Sequence, residues 1–291
     1  MTQTIGLFGL GLIGMAAATR LIAAGHKVIG HDPAPDRQAA LFAAGGMPAD
    51  PGAVWDSARI VLIAVFDAAQ AQTVLEAAPV DGQGICMLLS TCAPEATVAL
   101  GETARARGWT LVEAPVSGTS AQLEGGTASI YLGGEDRAVA EVVPVAEALS
   151  AKVVAVGTLG NAARVKLAVN LILGLNRAAL AEGLLLARGM GLDPGNFLAL
   201  ARDSAAASAV MRTKGPRMVA GDFAPEGRVA QSAKDFGLIL DAAQAAGQGL
   251  PFARTYAQMM QDCIANAEGD MDNAAIIRAL ARCRPGAEPP A

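Results

Sequence analysis

The 291-residue sequence has few histidines, aromatic side chains and charges. Its only histidines are His26 and His31, and its four cysteines, Cys86, Cys92, Cys263 and Cys283, form no C-x-x-C pair. Ligand spacing for a metal site is therefore absent, no disulfide framework is indicated, and reduced thiols in a cytoplasmic protein are the expectation. No run of Lys and Arg could track a phosphate backbone, and the net charge is only −5, which argues against nucleic acid as a partner. No uninterrupted apolar run reaches the roughly 18 residues of a spanning helix, so no membrane partner is expected. The first 19 residues are uncharged but lack the basic start of a signal peptide. Only the tail "RPGAEPPA" has a composition suited to disorder. With 53% hydrophobic residues, the chain has the length and the material for two domains.

What is present is an alternation. Up to about residue 156, short apolar runs ("TIGLFGL", "HKVIGHD", "RIVLIAV", "GICMLLS", "WTLVEAP", "ASIYLGG", "KVVAVG") alternate with Ala-rich stretches. Continuous apolar strands separated by helices predict an α/β domain, a Rossmann-type doubly wound and mainly parallel sheet covered on both faces. After Gly157 strand signals stop. Helices are predicted at about 159–190, 193–203, 229–247, 251–267 and 273–282, with turn signals such as "GLDP" and "GDFAPEG" between them. The predicted organisation is a dinucleotide-binding domain over residues 1–160 and an all-α domain for substrate and oligomerisation over 161–291, joined by a long helix.

The first alternation carries the first chemistry. In "GLFGLGLIG", Gly9, Gly11 and Gly14 stand between a strand and a helix, where a tight turn brings backbone close to a pyrophosphate at the positive helix end. Three glycines at this spacing would occur by chance roughly 0.4 times in so glycine-rich a chain, so the context decides. That context is a complete βαβ unit whose second strand ends in Asp32, placed to accept hydrogen bonds from an adenosine ribose and to repel a 2′-phosphate. The predicted cofactor is NAD, with NADP as the alternative because Arg37 is close. The cradle residues are Gly9, Leu10, Gly11, Leu12, Ile13 and Gly14, with Asp32 at the ribose.

The second chemistry lies in "GNAARVKLAVNLILGL". Lys166 and Asn170 share one face of an otherwise apolar helix, and Leu173 and Arg177 continue it. Taken alone, such a pair is most simply a polar stripe with its lysine snorkelling to water.

Four segments in order, "GLFGLGLIG", "VEAPVSGTSAQLEGGTASIYLGG", "GTLGNAARVKLAVN" and "AKDFGLILDAAQAAG", resemble the β-hydroxyacid dehydrogenases, the group that contains 3-hydroxyisobutyrate dehydrogenase and tartronate semialdehyde reductase. The resemblance runs through nearly the whole chain. It implies that Ser117, Gly118 and the next residue, Thr119, hold the substrate carboxylate. It implies further that Lys166 is catalytic, that Asn170 orients the substrate, and that Lys234 lies near nicotinamide and substrate. Thr91, Phe66 and Asp67 are implied to lie along the cofactor. Thr119 stands where the family has a second glycine, and Glu113 stands where it has Asp.

Oxidising a hydroxyl requires a hydride acceptor, a base and a clamp on the reacting C–H bond. NAD, Lys166, and Ser117/Gly118 with Asn170 fill these roles, and a lysine base requires a lowered pKa, which burial and a neighbouring cation such as Lys234 would supply. The implied activity is an NAD(P)-dependent oxidoreductase acting on a small anionic β-hydroxy acid, without a metal, in a homodimer or homotetramer. The rivals are an imine reductase on the same plan and a non-catalytic dinucleotide-binding sensor. Plainer roles are expected for His31 (surface, strand end), Trp55 and Trp109 (packing), Arg164 (packing or an ion pair) and "RTKGPR" (a solvated loop, Lys214 facing an anion at most).

Overall fold

Every residue of "TIGLF" after the first is buried, the pattern of a strand covered on both faces, and this run forms β1, Thr4–Phe8. In the computed structural model, which describes residues 2–283, two compact units follow one another, the first ending at Lys166 and the second beginning at Leu167. The tail "RPGAEPPA" lies outside the described residues.

The first unit continues as α1 (Leu12–Ala23), β2 (Lys27–His31), α2 (Pro35–Ala43), β3 (Met47–Pro48), α3 (Pro51–Ser57), β4 (Ile60–Ile63), α4 (Ala68–Glu76), β5 (Ile85–Leu88), α5 (Pro94–Ala106) and β6 (Thr110–Glu113). Six strands form a parallel sheet in the order β3-β2-β1-β4-β5-β6. The order reverses between β1 and β4, the switch point at which doubly wound sheets bind ligands beyond the carboxyl ends of their strands. Buried residues of β1, β4, β5 and β6 divide between two clusters, one of which also holds α1 residues and the other Trp55 and Trp109. The two indole rings meet edge-on, centroids 4.8 Å apart, so both serve packing as expected. His31 is half-buried at the end of β2, its Nδ1 2.9 Å from the Ala49 carbonyl oxygen.

The chain then departs from the single alternation. β7 (Val116–Ser117), α6 (Ser120–Glu124), β8 (Ser129–Leu132), α7 (Asp136–Leu149) and β9 (Lys152–Ala155) build a separate three-stranded sheet, with β7 antiparallel and β9 parallel to β8. One bridge, Glu113 to Gly133, connects the ends of β6 and β8.

The second unit is helical among the described residues. α8 (Asn161–Gly189) begins in the first unit and continues into the second, followed by α9 (Pro194–Arg202), α10 (Ala209–Thr213), α11 (Gly215–Ala220), α12 (Val229–Ala245), α13 (Pro251–Ala265), a 3-10 turn at Asn273–Ala275 and α14 (Ile276–Arg282). Its core gathers Leu167, Leu180 and Leu184 of α8 with Phe236, Tyr256, Met259, Met260 and Ile276. By length and composition alone α8 is long and apolar enough to cross a membrane, although its apolar run is not unbroken. Lys166 and Arg177, which break the run in the sequence, are buried within the protein.

The segment "RTKGPR" is not a solvated loop. It spans the end of α10 and the start of α11, and Lys214 is 4% exposed. Its Nζ donates to both carboxylate oxygens of Asp272 at 2.8 Å, and Asp272 is fully buried. A charge inside a helical unit is tolerated when paired in this way, so the lysine answers to Asp272.

Candidate active site

The dinucleotide cradle is built by steric necessity around open space. A Cβ on Gly9, whose φ is +88°, would come within 2.4 Å of the Ala64 carbonyl oxygen, and one on Gly14 within 1.9 Å of the Gly9 carbonyl oxygen. A Cβ on Gly11 would meet nothing within 4 Å. Gly11 also begins α1 with no capping side chain, so the first-turn N–H groups of Leu12, Ile13 and Gly14 are available to an anion. Closed below and open above, the cradle fits a pyrophosphate.

Asp32, 2% exposed, closes one side of it. Its Oδ2 accepts from the Leu10 N–H at 2.8 Å and from Arg37 at 3.2 Å, while Oδ1 accepts from the Ala34 N–H at 3.0 Å. Burial pushes this carboxyl up, but the two backbone N–H groups and the guanidinium outweigh it and hold the group below its ordinary range. The carboxylate thus ties the end of β2 to the Gly-rich turn. Along the neighbouring strand ends, Thr91 is buried and Phe66 is exposed. Asp67 caps α4, accepting from the Gln70 N–H at 2.9 Å. Ser90, which the sequence did not single out, fastens β5 to the end of β4: its Oγ accepts from the Val65 N–H at 3.0 Å and donates to the Val65 carbonyl at 2.7 Å.

The "EAPVSGT" segment holds the second part. Gly118, at φ +155°, is exposed, and a Cβ there would press on Ala128 at 3.0 Å. Thr119 turns its side chain into α6: the hydroxyl accepts from the Gln122 N–H at 3.2 Å, and the Thr119 N–H donates to Gln122 Oε1 at 2.9 Å. This reciprocal capping box engages the amide that the resemblance assigns to a substrate carboxylate. Glu113, 1% exposed, takes the N–H groups of Ala162 and Ala163 on its two oxygens, both at 2.9 Å. Burial raises its pKa, and the N–H groups of Ala162, Ala163 and Gly160 with Arg164 only partly offset this. One carboxyl therefore staples the strand leading to Ser117 onto the start of the helix that carries Lys166.

Lys166 is 6% exposed, and Asn170 follows one turn later on α8. So little exposure makes a solvent-snorkelling lysine a poor description of Lys166. Arg164, nearly opposite, is exposed and donates to Asn161 at 2.9 Å. In the helical unit, Asn170 Nδ2 donates to Asp235 Oδ2 at 2.9 Å, and Lys234 Nζ stands 3.2 Å from Asp235 Oδ1. The structure thus joins Asn170 to Lys234 through Asp235. No group of His, Cys, Asp and Glu able to hold a metal occurs among the described residues, and the four cysteines are free.

Two family models cover the chain. Residues 4–157 match the NAD-binding domain of 6-phosphogluconate dehydrogenase, and residues 160–280 match the model described as NAD-binding of NADP-dependent 3-hydroxyisobutyrate dehydrogenase. An L-threonate dehydrogenase of Cupriavidus necator is 30% identical, the match covering 100% of this chain and 99% of that protein. The chain belongs to the β-hydroxyacid dehydrogenase family. Among other members, the 2-hydroxy-3-oxopropionate reductase of Escherichia coli is 30% identical over 95% of this chain and 96% of its own length. A crystal structure of 3-hydroxyisobutyrate dehydrogenase from Salmonella typhimurium superimposes with a TM-score of 0.86 at 27% identity, covering 95% of this chain and 99% of that one. The chain is accordingly an NAD(P)-dependent oxidoreductase of hydroxy acids on a Rossmann-plus-helical fold.

Proposed function

We propose that the protein oxidises a small β-hydroxy acid, with Lys166 as the acid–base group and NAD preferred over NADP. The observation that carries this reading is a buried lysine, Lys166, on α8, followed one turn later by an amide held by a buried carboxylate. The turn from Gly9 to Gly14 and Asp32 would hold NAD, which would supply the hydride acceptor for the carbinol carbon. Lys166, as the neutral amine, takes the hydroxyl proton as the C–O bond becomes a carbonyl, and returns it to the carbonyl oxygen in the reverse direction. Ser117 and the Gly118 N–H hold the substrate carboxylate beside Thr119, Asn170 fixes the substrate hydroxyl, and Lys234 supplies positive charge for an anionic substrate. Proximity and orientation are the main contributions of such a set.

The preference for NAD rests on Asp32, ionised and closing the cradle where a 2′-phosphate would have to fit. Assembly as a homodimer or homotetramer is supported by the exposed apolar side chains Ile172 and Leu186 on α8 and Met190 just after it. A screen of the purified protein tests the reading. With NAD and NADP it should turn over at least one of 3-hydroxyisobutyrate, glycerate, serine, threonate and 4-hydroxybutyrate, followed by absorbance of the reduced cofactor. Tight cofactor binding with no turnover across the panel would favour a dinucleotide sensor.

A further inference from the structure

The family resemblance assigns work to Asn170 and Lys234 but none to the acid beside the lysine. Asp235 lies on α12, 7% exposed, and three side chains meet it: Asn170 and Gln231 donate hydrogen bonds at 2.9 and 3.1 Å, and Lys234 forms an ion pair at 3.2 Å. An ionised carboxylate can only accept, so the edge of the Asn170 amide that faces it must be the NH2 group. The carbonyl oxygen, Oδ1, is thereby turned to the opposite edge. Without this partner the amide could flip about χ2 at little cost, because its oxygen and nitrogen edges are nearly the same size. The same carboxylate restrains the long Lys234 side chain, whose rotamer freedom is otherwise expensive to remove on binding.

We propose that Asp235 is a positioning residue for the hydroxy-acid reaction: its buried carboxylate accepts one N–H of the Asn170 amide and so fixes the edge from which the second N–H is offered to the substrate hydroxyl oxygen, and it anchors Lys234 as an ion pair. This rests on the dehydrogenase reading above. A hydroxyl whose oxygen accepts from Asn170 Nδ2 keeps its single proton for Lys166, and misplacement by about 1 Å can cost roughly 100-fold in rate.

A double-mutant cycle tests it with a readout that a purely structural role would leave additive. Wild type, D235N, N170A and D235N/N170A are assayed with the hydroxy acid of the panel that the wild type oxidises fastest. Asp235→Asn keeps the volume but presents either edge to Asn170. It should lower kcat by roughly 10–100-fold, with NAD affinity by fluorescence titration changed less than about twofold, and the loss should be at least about fivefold smaller in the N170A background. A full additive loss on top of N170A, or a D235N protein with wild-type kcat, overturns the proposal. Where D235N fails to melt cooperatively, Asp235→Glu, which keeps the carboxylate, is run in the same cycle, and kcat no better than that of D235A overturns it equally. A wild-type protein that binds NAD and oxidises no acid of the panel overturns the dehydrogenase reading itself, a result distinct from active wild type with additive losses.

Discussion

A carboxylate discriminates against a 2′-phosphate only while it is ionised, and Asp32 is held in that form by the N–H groups of Leu10 and Ala34 and by Arg37 against the upward push of burial. Asp32→Ser removes the charge and should cut the NAD:NADP ratio of kcat/KM by about tenfold, the equivalent of about 1.4 kcal/mol. Steady-state kinetics with both cofactors checks this, and an unchanged ratio would remove Asp32 from the ribose site. Ser117→Ala should cost about 1–3 kcal/mol in kcat/KM for the hydroxy acid, as for a lost charge-assisted bond, while NAD affinity stays constant. Equal losses in substrate and cofactor would place Ser117 elsewhere. Lys166 could be picked out in the sequence because it interrupts an apolar helix, and Asp32 because it ends the second strand, whereas Ser117 was marked only by the family resemblance. Asp235 could not be given a task in advance, since its partner Asn170 is 65 residues away, and the amides that Glu113 binds are 49 and 50 residues away. Thr119 was legible as a departure from the family pattern, but its engagement with Gln122 belongs to the turn it makes in space.

Elements were legible in proportion to their length. β1, β4 and β5 announce themselves as fully buried apolar runs, and α8, α12 and α13 as long periodic stretches. β3 and β7 have two residues each and show no alternation, and α10 and α11 are too short for a helical period, so "RTKGPR" read as a loop. What the short helices achieve is the placement of Lys214 on Asp272, which also accepts from the N–H groups of Glu226, Gly227 and Ala274 at 3.0–3.1 Å. Asp272→Asn leaves buried Lys214 with Glu226, 3.8 Å away, in place of its hydrogen-bonded carboxylate and should destabilise the protein by about 3–5 kcal/mol, seen as a lower denaturant midpoint. A midpoint within about 0.5 kcal/mol of wild type would show the pair to be dispensable. Burial pushes the Asp272 carboxyl up, yet Lys214 and the backbone donors hold it below its ordinary value of 3.8. For an acid with a depressed folded-state pKa, the stabilisation is complete above the unfolded-state value and is lost as pH falls through the folded-state one. Wild-type stability should therefore drop below about pH 4, and D272N should lose less over that interval than wild type does.

At the scale of the whole molecule, the described surface carries large apolar side chains: Phe42, Ile172, Leu186, Met190, Leu200 and Phe252 are all exposed. Light scattering at micromolar concentration should give the mass of a dimer or tetramer, and a mass near 29.3 kDa would contradict the proposed assembly. The two-part organisation was readable because hydrophobic patterning changes from short strands to long helices near Gly157, whereas the division of the first part into two sheets was not, since pairing partners leave no local trace. The central claim is that α8 carries the acid–base group of the reaction. Its most direct test is Lys166→Met, which retains most of the side-chain volume and should fold and bind NAD as the wild type does while kcat falls roughly 100- to 10,000-fold. Wild-type kcat for oxidation should rise with pH as a base loses its proton, and that limb should be missing from the residual activity of the mutant. A soluble, NAD-binding Lys166→Met protein with wild-type kcat would contradict the account.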